Sequence, residues 1–82
     1  VYNKIFLEHE DDLVRSTAQK LVKFRSLLKE GELSQNEYNE LVEDLLDLRI
    51  IEEATDDLER QIKLKRAFDT LKMIAAFAGG LL

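Results

Sequence analysis

Cysteine, proline and tryptophan are absent from this 82-residue chain, and histidine occurs once, as His9. Without cysteine there is no disulfide framework, no thiolate metal site and no cysteine nucleophile. That fits a reducing compartment and gives the expectation of a cytoplasmic, intracellular protein. Glycine is confined to Gly31, Gly79 and Gly80, which leaves no glycine-rich loop to cradle a phosphate. His9 sits in Glu8-His9-Glu10-Asp11-Asp12 and lacks the second histidine of a zinc-binding HExxH helix. It reads instead as part of a solvated helix start. Glu52, Glu53, Asp56 and Asp57 place two carboxylate pairs at i, i+4, but di-metal bundles also need a Glu-x-x-His motif on facing helices. These four read as a solvent-facing patch. The sequence therefore assigns no catalytic or metal-binding residue, and neither an enzyme, a cofactor nor a small-molecule substrate is expected.

Helical periodicity is what the chain has in abundance. From Leu33 to Phe77 there is neither Gly nor Pro, and apolar residues recur in steps of three and four, which keeps side chains on one helical face. The stripe runs through Leu41, Leu45 and Leu48, then Ile51, Leu58 and Ile62, then Leu64, Phe68 and Leu71. It slips phase near Glu52 and again after Ile62, so it is not the seam of one straight two-stranded coiled coil. The expected fold is all-α: a helical hairpin plus a third helical segment, as a three-helix or a long-helix arrangement completed by oligomerisation. One domain spans 1–82, with an arm at 1–9, helix 1 at 10–30, helix 2 at 34–54 and helix 3 at 56–78. A bend at 52–57 capped by Thr55 or Asp56, and a helix 3 continuous with helix 2, both remain open.

The sharpest local signal lies at the hairpin. Leu13, Thr17, Leu21, Phe24 and Leu28 line one face of helix 1, with Val14 and Ala18 beside it. Asp11 and Asp12 suit the positive end of its dipole and Lys29 the negative end. Gly31 supplies a left-handed residue that ends the helix. Ser34 with Glu37 forms a capping box, and Leu33 is placed to pack on Tyr38 as a hydrophobic staple. The run Ser26-Leu27-Leu28-Lys29-Glu30-Gly31-Glu32-Leu33-Ser34-Gln35-Asn36-Glu37-Tyr38, ending in Leu45-Leu46, resembles the SHOCT-type short helical domain. The resemblance covers residues 26–46 and implies a helical hairpin that supports association. It carries over no functional residue.

Charge alternates in blocks. Glu8 to Asp12 is negative, Arg15 to Lys29 carries five basic and no acidic residues, Glu30 to Glu59 is strongly acidic, and Arg60 to Lys72 is basic. Folding the basic helix 1 against the acidic segment predicts intrachain charge pairing. The overall net charge of −5 with 35% charged residues argues against duplex DNA as the default partner.

Three functional expectations follow. The first is a non-enzymatic oligomerisation or adaptor module that binds itself or a partner helix through Leu41, Leu45, Leu48, Leu58, Ile62, Phe68, Leu71, Ile74 and Phe77. The second is a small accessory protein that meets nucleic acid through Arg15, Lys20, Lys23, Arg25 and Lys29, whose helix could present a basic stripe. The third is peripheral membrane contact through Met73–Leu82. That segment has no polar side chain but is too short for a bilayer, which needs about 20 residues; basic residues beside it favour anionic lipid surfaces. The bland alternative is that Ile74, Phe77 and Leu81 close the chain's own core. Val1 in first place suggests a processed protein or an excised piece.

Overall fold

The computed structural model describes residues 4–78, and the fold is all-α. Five helical segments follow one another: α1 (Lys4–Leu7), α2 (Asp12–Lys29), α3 (Gln35–Leu45), α4 (Leu48–Ala54) and α5 (Leu58–Ala78). Val1–Asn3 of the expected arm and Gly79–Leu82 of the apolar tail lie outside the described residues, as does the expected core role of Leu81.

Each boundary has a local cause. Asp11 caps α2, its Oδ1 accepting the Leu13 N–H at 3.0 Å, and the Asp11 N–H donates to His9 Nδ1 at 3.0 Å. His9 thus serves the turn between α1 and α2. At the far end of α2, Gly31 adopts φ 80. The Glu32 N–H reaches Leu27 O at 2.9 Å and the Gly31 N–H reaches Leu28 O at 3.1 Å, the two bonds of a Schellman motif that satisfy carbonyls left open at a helix end. The capping box closes reciprocally, Glu37 N–H to Ser34 Oγ at 3.1 Å and Ser34 N–H to Glu37 Oε1 at 3.0 Å.

The expected helix 2 is two helices. Leu46 ends α3 and Asp47 caps α4 by accepting the Arg49 N–H at 2.9 Å. The break needs neither Gly nor Pro, because an aspartate side chain can take over an N–H that the preceding helix would otherwise hold. The expected start at residue 56 also shifts. Asp57, not Thr55 or Asp56, caps α5, its Oδ1 accepting from Glu59 N–H at 3.0 Å, while the Thr55 hydroxyl accepts the Asp57 N–H at 3.1 Å.

The core is built from one face each of α2, α3 and α5, with α4 and the residue after α3 filling in. Val14, Ala18, Leu21, Tyr38, Val42, Leu46, Ile51, Leu64, Phe68, Leu71 and Ala75 are buried, and Phe6, Leu7, Leu13, Phe24, Leu28 and Leu45 pack against them. α2 packs on α1, α3 and α5, and α5 also packs on α3 and α4. Tyr38 is fully buried and spends its hydroxyl well: it donates to Ala75 O at 2.8 Å, tying the start of α3 to the end of α5. A buried phenol without such an acceptor would cost roughly 1–3 kcal/mol.

The charge blocks meet differently from the expectation. Among the described residues the ion pairs are Arg15 with Asp12, Arg49 with Asp47 and Arg60 with Asp11; none joins α2 to α3. The acidic side chains of α3 (Glu37, Glu40, Glu43 and Asp44) are exposed, because its apolar residues claim the side facing α2. The pair that does link distant elements is Arg60 with Asp11, bidentate at 3.0 and 3.1 Å. Its guanidinium holds the Asp11 carboxyl below the usual carboxylate range.

Candidate protein-docking surface

α5 is apolar on two opposite faces. At about 100° per residue, Leu64, Phe68, Leu71 and Ala75 fall on one arc, and all four are buried. Leu58, Ile62, Met73 and Phe77 fall on the opposite arc and are 73%, 53%, 70% and 71% exposed. The exposed Arg66 and Asp69 complete that outer row. The inner row is covered by the chain's own core, whereas the large apolar side chains of the outer row are left uncovered. Low down on the outer side, Asp69, Lys72, Met73 and Ala76 line a shallow concavity of about 460 Å³.

The expected interface residues divide into four groups. Leu58, Ile62 and Phe77 stand on the outer face of α5, and Leu48 is exposed on α4. Leu41 and Leu45 are half-buried and line a groove of about 520 Å³ with Phe24 and Ile50, rimmed by Lys20, Lys23 and Asp44. Ile74 is half-buried. Phe68 and Leu71, expected at the interface, are instead 1% and 0% exposed in the chain's own core, where a partner cannot reach them. The reason is the phase slip after Ile62, where the apolar stripe steps from the outer to the inner face of α5. Met73 enters the sequence reading only as the start of the apolar tail, and Arg66 and Asp69 are not among the expected interface residues, because periodicity follows a single face whereas this helix carries two.

The five basic residues of α2 do not form one face. Arg15 is committed to Asp12 and to His9 O, the latter at 2.9 Å. Arg25 is half-buried, with Nε covered and unpaired. Lys20 and Lys23 rim the groove on the other side of the helix, and Lys29 is exposed in its last turn. The expected single stripe fails because about 100° per residue puts Arg25 and Lys29 close to the buried arc, and Lys20 and Lys23 away from it.

Two further observations bound the surface chemistry. Among the described residues no group of three or more His, Asp or Glu side chains converges to hold a metal ion, and no helix is long and apolar enough to cross a membrane. The polar hollow beside Asp11, lined also by His9, Asp57 and Lys63, is already organised around the Arg60 ion pair. Compared with models of protein families, with curated proteins and with solved structures, the chain matches none. Function must therefore be argued from the geometry of the surface.

Proposed function

We propose that this chain is a non-enzymatic helical association module, of the oligomerisation or adaptor kind, that binds itself or a partner helix through apolar helix faces. The observation that carries this reading is the outer face of α5, with four large apolar side chains more than half exposed on one helix row. Surfaces of that kind on small proteins mark interaction sites. The groove between Phe24, Leu41, Leu45 and Ile50 offers a second apolar contact. A basic-stripe contact with nucleic acid has less support, since the cations of α2 are dispersed around the helix and partly committed within the chain.

Magnitudes favour a modest, concentration-dependent association. Burying a large apolar side chain completely is worth about 1.5–3 kcal/mol, and a helix pair covers each only in part. Four such residues from each of two copies would bring on the order of 10 kcal/mol, against an association cost of about 4–15 kcal/mol. Light scattering over a concentration series tests the reading. The mass should rise above the 9.5 kDa of one chain at micromolar to high-micromolar concentration. A mass that stays at the monomer value throughout removes self-association as the function.

A further inference from the structure

We infer that the partner for the outer face of α5 is the same face of a second copy, packed antiparallel about a twofold axis that passes between the two helices at the level of Ala67 and Phe68. This rests on the association reading above and deepens it by naming the partner and its orientation. The outer row occupies positions 58, 62, 66, 69, 73 and 77, and its spacing reads the same in both directions. A twofold requires such self-complementarity: whenever residue i meets j, j must meet i. Antiparallel pairing then sets Leu58 against the partner's Phe77, Ile62 against the partner's Met73 and Arg66 against the partner's Asp69, each contact twice. Apolar meets apolar at both ends and opposite charges meet at the centre. Parallel in-register pairing would instead set Arg66 on Arg66 and Asp69 on Asp69. Like charges facing one another select against that arrangement.

The surface relief of α5 supplies a seat for the side chain that this register brings to it. Asp69, Lys72, Met73 and Ala76, which line the shallow concavity on α5, have the spacing i, i+3, i+4, i+7 of the socket that receives a knob from a facing helix. The socket is centred between residues 72 and 73. Reflection through the midpoint of the row carries that centre to the position between 62 and 63, so Ile62 is the knob. It is more than half exposed and projects from the same row. Lys72 and Asp69 frame the socket with opposite charges, and Ala76, the smallest of the four, leaves room for a β-branched side chain.

The 82 residues contain no cysteine, so introduced cysteines report on geometry directly. Ile62→Cys mixed with Met73→Cys should form a disulfide-linked dimer on mild oxidation, whereas either variant alone should cross-link at least tenfold less. In the antiparallel pair the two copies of residue 62 are about 16 Å apart along the axis, beyond the roughly 7 Å reach of a disulfide. Arg66→Asp should weaken the dimer at least tenfold, and combining it with Asp69→Arg should restore it to within about threefold, because the reversal recreates the complementary pair. Circular dichroism checks that each variant keeps its helices. Efficient cross-linking of Ile62→Cys alone, or a dimer indifferent to Arg66→Asp, overturns the antiparallel α5 pairing while leaving self-association standing. A wild-type chain that stays monomeric overturns both.

Discussion

Replacing Tyr38 by phenylalanine removes one oxygen atom from a fully buried side chain near the start of α3 and leaves the ring in place. What is lost is the 2.8 Å hydrogen bond to Ala75 O, which links residues 37 positions apart. A typical intramolecular hydrogen bond contributes about 0.5–1.5 kcal/mol net, and stranding a buried acceptor raises the loss toward about 1–3 kcal/mol. The bond spans α3 and α5 in the dry core, so a loss of about 1–2 kcal/mol is expected. In a domain of this size each kcal/mol moves the midpoint of thermal unfolding by about 4–8 °C. Tyr38→Phe should therefore melt roughly 5–15 °C lower. Urea unfolding followed by circular dichroism should show a lower midpoint with an unchanged slope, since the change exposes no additional surface. Protein concentration must be held fixed, because association would make the midpoint depend on it. A Tyr38→Phe midpoint indistinguishable from wild type would refute the claim that this hydroxyl holds α3 to α5. The fold would then rest on ring packing alone.

Two other perturbations probe different parts of the fold. Phe68→Ala leaves a cavity on the inner face of α5 and should cost about 3–5 kcal/mol, read from chemical unfolding; a loss under about 1 kcal/mol would contradict the placement of Phe68 in the core. Acid should weaken the fold through Asp11. Its carboxyl is held below its ordinary value first by the Arg60 hydrogen bond, so its contribution is complete above the unfolded value of about 3.9 and disappears as pH falls through the lower folded value. Asp47, lowered to about 2 by Arg49, acts in the same direction. Asp11→Asn can still cap α2 but cannot titrate, so urea midpoints measured between about pH 5 and pH 2.5 should fall less steeply in the variant than in wild type. Parallel slopes would remove Asp11 from the acid response.

How much of this was legible in the sequence depended on how local the cause was. Gly31, Ser34 and Glu37 fall within seven positions, and each acts on backbone groups beside it, so the hairpin turn could be read directly. The break at Leu46–Asp47 is as local in its hydrogen bonds. Yet Asp44, Asp47, Asp56 and Asp57 all offer a capping carboxylate, and only docking of α4 on α5 selects among them. The all-α class was carried by periodicity, but the division of α5 into inner and outer faces was not. Phe68 and Leu71 are separated from Leu58 and Ile62 by the phase slip at Ile62–Leu64, and nothing in spacing alone says which pair meets the core. Tyr38 shows the converse case. Helical spacing places Tyr38 in the apolar stripe, while its complete burial and its bond to Ala75 require α3 and α5 to be brought together.

The two-faced character of α5 (Leu58–Ala78) also explains the phase slip after Ile62. An apolar stripe that changes face midway looks like a faulty coiled coil when read as one seam, but it is regular when read as two seams on one helix. The inner seam, Leu64 through Ala75, holds the monomer together; the outer seam, Leu58 through Phe77, leaves the fold's own core unaffected. Changes to the two should therefore differ in kind. An inner-face truncation such as Phe68→Ala shifts stability at every protein concentration, because the lost contacts belong to each chain alone. Under the proposed pairing, an outer-face change such as Arg66→Asp leaves the dilute-limit stability near wild type. What it removes is the rise in stability with concentration that any dimer of folded chains must show.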